Sequence, residues 1–329
     1  MKQLFLLSGL LVGLLSFGQK AREYKVVKSY PIASTGGWDY IAVHDGKLYV
    51  SHATQVNILD EYTGDSLGII PNTAGVHGIA FNDALNRGYT SNGRANNVTV
   101  FDLRSRETVT RIATGENPDA IMYEPFTKSI ITCNGRSKNL SVINPATNQV
   151  TATIDVGGKP ETAVSDGTGM LFVNVEDKNE IVAVDLKSNA VKSHWPLGGA
   201  EGPTGLSFDK TSRRLFAGCD KQLVVVDASN GKIISKLPIG EGCDGVAFSA
   251  KDQIIYTSNG GDGTMTAVKE DRDKYTVLGN YPTSRGGRTI TIDDKDGTVF
   301  IPAAEYEAAN DANGRPHVKP GSFKILVVK

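Results

Sequence analysis

A repeat of about forty residues governs everything this chain can become. Gly88–Asp102 reads as two short β-branched and aromatic runs, GYTSN and VTVFD, joined by the polar link GRANN, the pattern of a β-hairpin. The same unit stands at Leu48–Asp60, Ile130–Asn144, Leu171–Asp185, Leu215–Asp227 and Ile255–Lys269. Its closing residues Asp60, Asp102, Asn144, Asp185 and Asp227 are spaced by 42, 42, 41 and 42 positions. A fixed period of that size means stacked or radially arranged units, each unable to bury its own apolar faces.

Each period offers four strands. In the second period these are 76–81, 88–92, 98–102 and 108–112, and the first strands of the others begin at Asp39, Asp119, Glu161, Thr204, Asp244 and Arg288. The first three strands of a period are almost wholly apolar, as sheets covered on both faces require, whereas the fourth alternates with charge. Seven such sheets predict an all-β fold, a seven-bladed β-propeller of four-stranded antiparallel blades. The seventh period ends one strand short at Lys329, and one spare strand lies at Tyr24–Ile32, before the first period. Pairing the two ends closes the ring, so a single propeller domain is expected over 19–329.

Residues 1–18 read as a leader outside that domain. Lys2 precedes an apolar run from Leu4 to Phe17, short for a membrane span, and Ser16-Phe17-Gly18 suits cleavage. This predicts export to the periplasm or surface of a bacterium, with no membrane span after cleavage. A formal net charge of −1 gives no bulk attraction to nucleic acid, and no basic aromatic stripe is present for single strands. Cys133, Cys219 and Cys243 are too few and too scattered for a disulfide framework, although Cys219 and Cys243 end and begin strands on adjacent blades, where a bond is geometrically conceivable.

The segments LYVSH, GYTSN, IITCN and IYTSN, followed by a strand like VTVFD and by Gly-x-x-Pro links (Gly115–Pro118, Gly157–Pro160), resemble the YVTN-repeat β-propellers, which include YncE-like periplasmic and surface-layer proteins. The resemblance spans nearly the whole chain after the leader. It implies a secreted or periplasmic binding propeller, of a kind sometimes suggested to contact DNA, and does not imply a catalytic set; a monomer is expected.

Local motifs add little. Gly64-Asp-Ser66-Leu-Gly68 spells a nucleophile elbow but occupies a hairpin turn with no helix after it. Trp38-Asp39 is not repeated, and the sequons at Asn97 and Asn139 lie at strand edges. Haem, zincin and nucleotide fingerprints do not occur.

Superposing the periods is more informative. Asp39, His77, Asp119, Glu161, Thr204, Asp244 and Arg288 enter the first strands and should ring one mouth of the central channel. The loops after the second strands should bring His52, Asn92, Asn134, Glu176, Asp220, Asn259 and Glu305 to the same face, with Arg94 and Arg136 from two Asn-Gly-Arg turns. A polar Gly- and Pro-bearing insertion at 303–324 reads as a loop that adds Arg315, His317 and Lys319 there. His77, Asp119 and Glu161 on consecutive blades form a candidate divalent-cation set. Arg288 should pair with Asp244 and Asp39 across the ring. Asn92, Asn134 and Asn259 have an equally simple role in shaping their own turns. The residues thus predict a non-enzymatic propeller that binds a small polar ligand or an envelope partner at the channel mouth. The alternative is a metal-assisted hydrolase of the lactonase type at that mouth.

Overall fold

A computed structural model describes residues 23–310 and 316–329. The expected leader at 1–18 lies outside these residues. Seven four-stranded antiparallel sheets follow one another around a ring. Blade 1 comprises Trp38–His44, Lys47–His52, Gln55–Asp60 and Ser66–Ile70. Blades 2 to 6 begin at Val76, Pro118, Pro160, Leu206 and Cys243 and repeat the same meander. Among the described residues no helix is long and apolar enough to cross a membrane.

The third strands show why the ring forms. Val98, Thr99, Val100 and Phe101 are all buried, pointing alternately to two faces that neighbouring blades must cover. Phe101 packs with Tyr49 and Ile58 of blade 1, while Val98 and Val100 pack with Ile130 and Ile143 of blade 3. Gly88 stands beside Phe101, where any side chain would collide with the ring. The outermost strands are half in water: Thr108–Ala113 buries only Ile112 fully.

Blade 7 is assembled from both ends of the chain. Its inner strands are Thr291–Asp293 and Thr298–Ala303, its third is Lys324–Val328, and its outer strand is Val26–Pro31. The closing register runs from Val26 opposite Val328 to Pro31 opposite Lys324. The segment is also pinned at each end. The Tyr24 ring stands edge-on to Tyr256 and Tyr281 of blade 6, and Tyr30 Oη donates to the carbonyls of Glu61 (3.0 Å) and Tyr62 (2.9 Å) of blade 1.

Two expectations change in detail. The inner strands of blades 5 and 7 are short, starting at Leu206 and Thr291 rather than at Thr204 and Arg288. The insertion is not an irregular loop. Tyr306–Asn310 pairs with Pro316–Val318 as a small hairpin, and the Tyr306 and Phe323 rings lie 6.4 and 5.4 Å from that of Trp38. Aromatic packing against blade 1 anchors its base. Cys133, Cys219 and Cys243 are buried free thiols.

The seam between blades 7 and 1 contains a proton-sensitive contact. Glu61 is only 3% exposed, one carboxyl oxygen lacks a partner, and the side chain hydrogen-bonds the Asp293 carboxylate. Burial and then the Asp293 charge push its pKa from 4.5 up to about 7.

Two outcomes follow for stability. Deleting residues 24–33 should remove soluble folded protein, read by expression yield and the melting transition; a normal melt would refute closure. The native state keeps the Glu61 proton to about pH 7 while an unfolded chain releases it near 4.5, so stability should fall as pH rises through that window. Glu61→Gln should flatten that part of a denaturation-midpoint profile and raise the midpoint at pH 8.

Candidate functional site

The entries to the inner strands converge on one mouth of the channel. Asp39 is the hub of the charged arc. Its Oδ2 lies 2.5 Å from His77 Nδ1, and its Oδ1 lies 3.9 Å from an Arg288 guanidinium nitrogen. Arg288 Nε donates to Asp244 Oδ2 at 2.7 Å. On its other side His77 Nδ1 approaches Asp119 Oδ1 at 3.7 Å. Asp244, Arg288, Asp39, His77 and Asp119 therefore form a continuous chain of alternating charge across blades 6, 7, 1, 2 and 3.

Backbone contacts between blades hold the arc. Thr289 Oγ1 donates to the Asp39 carbonyl at 2.7 Å, Ser91 Oγ donates to the Asp119 carbonyl, and Thr204 Oγ1 donates to the Cys243 carbonyl at 2.7 Å. Gly93 fits against the far edge of the imidazole, where a Cβ would lie 2.6 Å from His77 Nε2.

Glu161 belongs to a separate pair. Lys159, just upstream in the link to blade 4, places its Nζ 2.5 Å from Glu161 Oε1 and also contacts Glu176. The three donors that lie within 4.8 Å of one another are Asp39, His77 and Asp119, so Asp39 stands where Glu161 was expected. Asp39 belongs to blade 1, next to His77 of blade 2, and closure brings Arg288 of blade 7 to its other side.

Removal from water shapes the electrostatics. Burial, and then the Asp39 charge, hold the Asp119 carboxyl well above the usual range; burial and then Asp119 do the same to Glu161. Burial alone would lower His77, but the bond to Asp39 and the charge of Asp119 outweigh it and the pKa rises. Arg288 is likewise raised by Asp244 and Asp39 against the effect of burial.

Arg94 and Arg136 sit on the rim above this arc, on blades 2 and 3. Together with Asp39, His77 and Arg288 they line a cavity of about 470 Å³. Both are exposed, and neither side chain makes a hydrogen bond or ion pair among the described residues. Below the arc the channel narrows to a mostly apolar space of about 210 Å³, lined by Ile41, Ile79, Ile121, Leu206 and Ile290 with the Tyr40 ring.

Other candidates lie away from the mouth. Asn92, Asn134 and Asn259 are fully buried inside their blades. Asn92 Oδ1 accepts from Thr90, and its Nδ2 donates to Asn97 (2.8 Å) and Thr99 (2.9 Å); Asn134 and Asn259 repeat this with Thr132, Asn139 and Ser141, and with Thr257, Thr264 and Thr266. Every polar atom of these amides is used, so they are structural knots. His52 is buried too, bonded to Ser34 and the Gly36 carbonyl. Asp220 accepts from the Gly242 amide. Glu305 pairs with Lys319 (3.3 Å) and Lys324 (3.0 Å) at the base of the hairpin, where His317 faces Glu307 at 3.1 Å. Arg315 lies outside the described residues.

No family model and no curated protein matches the chain. Solved structures do. The chain is similar to a Kuenenia stuttgartiensis hydrazine synthase chain, with 14% identity, TM-score 0.69, and coverage of 83% of this chain and 92% of that one. It is also similar to the WD40 repeats of RRP9, with 10% identity, TM-score 0.75, and coverage of 93% and 98%. At such identities the likeness is one of fold, the seven-bladed propeller.

The asparagine knots can be separated from the mouth by experiment. Asn259→Ala leaves the buried Thr257 hydroxyl without its acceptor and removes one donor to Thr266, and should cost about 1–3 kcal/mol of stability by chemical denaturation. A change below about 0.5 kcal/mol, the scale of a surface substitution, would refute that role.

Proposed function

We propose that this protein is an exported binding propeller whose channel mouth takes a small anionic ligand. One observation carries the reading: Arg94 and Arg136 stand side by side on neighbouring blades with no anionic partner among the described residues, over a cavity they share with Arg288. Guanidinium forks suit carboxylate and phosphate oxygens, and their placement over a concave floor gives a ligand something to bury against. The acids of the floor do not cancel that attraction, because Asp244 and Asp39 are engaged by Arg288 and His77. The rim therefore presents net positive charge and the floor a hydrogen-bonding surface.

Two further strands of support concern address and kind. The LYVSH, GYTSN and IYTSN segments resemble the YVTN-repeat propellers, which are exported binding proteins, and Lys2 with the Leu4–Phe17 run fits a leader.

Calorimetric titration of the chain with succinate, citrate and inorganic phosphate tests the reading. At least one should bind saturably, and Arg94→Ala with Arg136→Ala should weaken it by about 1.5–3 kcal/mol per lost charged hydrogen bond. Binding should also weaken as salt rises. Absence of binding by all three, or a dissociation constant unchanged in the double variant, would overturn it.

A further inference from the structure

We propose that Asp39, His77 and Asp119 together hold one divalent transition-metal ion at the floor of the channel mouth. The donor atoms Asp39 Oδ2, His77 Nδ1 and Asp119 Oδ1 come from the inner-strand entries of three consecutive blades and lie within 4.8 Å of one another. A first-row cation bound at about 2.0–2.2 Å to each sets neighbouring donors roughly 3 Å apart, so Asp39 Oδ2 and His77 Nδ1, 2.5 Å apart, would open slightly and Asp119 Oδ1, 3.7 Å from Nδ1, would close in. Two carboxylates and one imidazole form a mixed oxygen–nitrogen set suited to Mn²⁺, Co²⁺ or Zn²⁺, and three protein donors leave further positions for water or ligand.

The state of Asp119 is the independent observation. Its side chain is only 13% exposed, yet it accepts no hydrogen bond among the described residues. A carboxylate withdrawn from water is normally saturated with donors. Glu124, at the other end of the same strand, shows the ordinary solution: it accepts from the Phe126 and Thr127 amides and from the Thr127 and Ser165 hydroxyls. Asp119 has no such shell. It faces the His77 ring, whose Nδ1 lies 3.7 Å from its Oδ1, and keeps its oxygens for a cation.

The supports around the set are rigid. Asp39 and Asp119 are each fixed through their own carbonyl by a hydroxyl from a neighbouring strand, and the His77 ring seats against Gly93, where a side chain would displace it. The cation would take the place of the His77–Asp39 hydrogen bond at Nδ1. The ion site does not depend on anion binding, and the measurements below tell the two apart.

The test uses the full chain, stripped with chelator and dialysed. Mn²⁺ is the main probe, because thiolates compete poorly for it and three buried cysteines are present. Calorimetry and elemental analysis should show about one ion per chain. Asp39→Asn, His77→Gln and Asp119→Asn should each weaken binding about tenfold or more while keeping the circular dichroism spectrum. Asp273→Asn on the outer surface should leave binding unchanged. Should the floor variants fail to fold, Co²⁺ in the wild-type chain gives a second readout, a paramagnetically shifted imidazole resonance. No saturable Mn²⁺ binding by the folded wild type would overturn the proposal. So would a dissociation constant unchanged in a folded Asp119→Asn chain, or a Co²⁺ spectrum without the imidazole signal.

Discussion

Antiparallel pairing of Val26–Pro31 with Lys324–Val328 is the contact on which the molecule depends. Each sheet is apolar on both faces, so an unclosed row of blades would leave two apolar faces in water. The N-terminal segment does more than complete a ladder. Tyr24 reaches into the blade 6 cluster with Tyr256 and Met265, and Tyr30 reaches blade 1. It therefore acts as a bolt through two seams at once, and it makes the ring cooperative rather than a chain of separable repeats.

The candidate site inherits its geometry from that closure. Asp39 can touch Arg288 on one side and His77 on the other only because blade 1 has neighbours on both sides. Withdrawing so many ionisable groups from water is expensive, and pairing repays part of the cost. Asp244, Arg288, Asp39 and His77 pair in sequence along the arc. Asp119 ends it with a 3.7 Å contact and no side-chain hydrogen bond among the described residues, which is why chemistry at this mouth should be sought at that end.

The fold was legible in the sequence because it rests on quantities the sequence carries directly: a period, the alternation of the fourth strands, and one spare strand before the first period to match a last period one strand short. The ring of inner-strand entries followed from the same superposition. Side-chain choice within the ring was less legible. His77 and Glu161 occupy equivalent positions, but Lys159 two residues upstream captures Glu161, whereas the corresponding residue Asn117 leaves Asp119 free. That lysine was readable as a competing partner. The three repeated asparagines looked like rim residues because a repeat shows where a position lies along a strand and not whether its amide turns inward. The Thr two residues before each of them was the available sign of an internal knot. The hairpin at 306–318 was hidden by its polar composition, since its order comes from Tyr306 and Phe323 packing on Trp38, a contact far apart in sequence.

A repeat protein offers an internal control for telling structural polarity from functional polarity. Where one role recurs, as with Asn92, Asn134 and Asn259, the same hydrogen-bond set recurs with it, and stability is sufficient explanation. Function should show as departure from the repeat. Arg94 and Arg136 extend into solvent from otherwise ordinary turns, and exposed unpaired cations add little to stability. Asp119 shares its strand with Glu124, yet only Glu124 has the donors a withdrawn carboxylate needs. These departures fall on blades 2 and 3, on one side of a ring whose remaining polar entries are paired. A ligand bound there would be held off-axis, against the side of the mouth that Asp39, His77, Arg94 and Arg136 line.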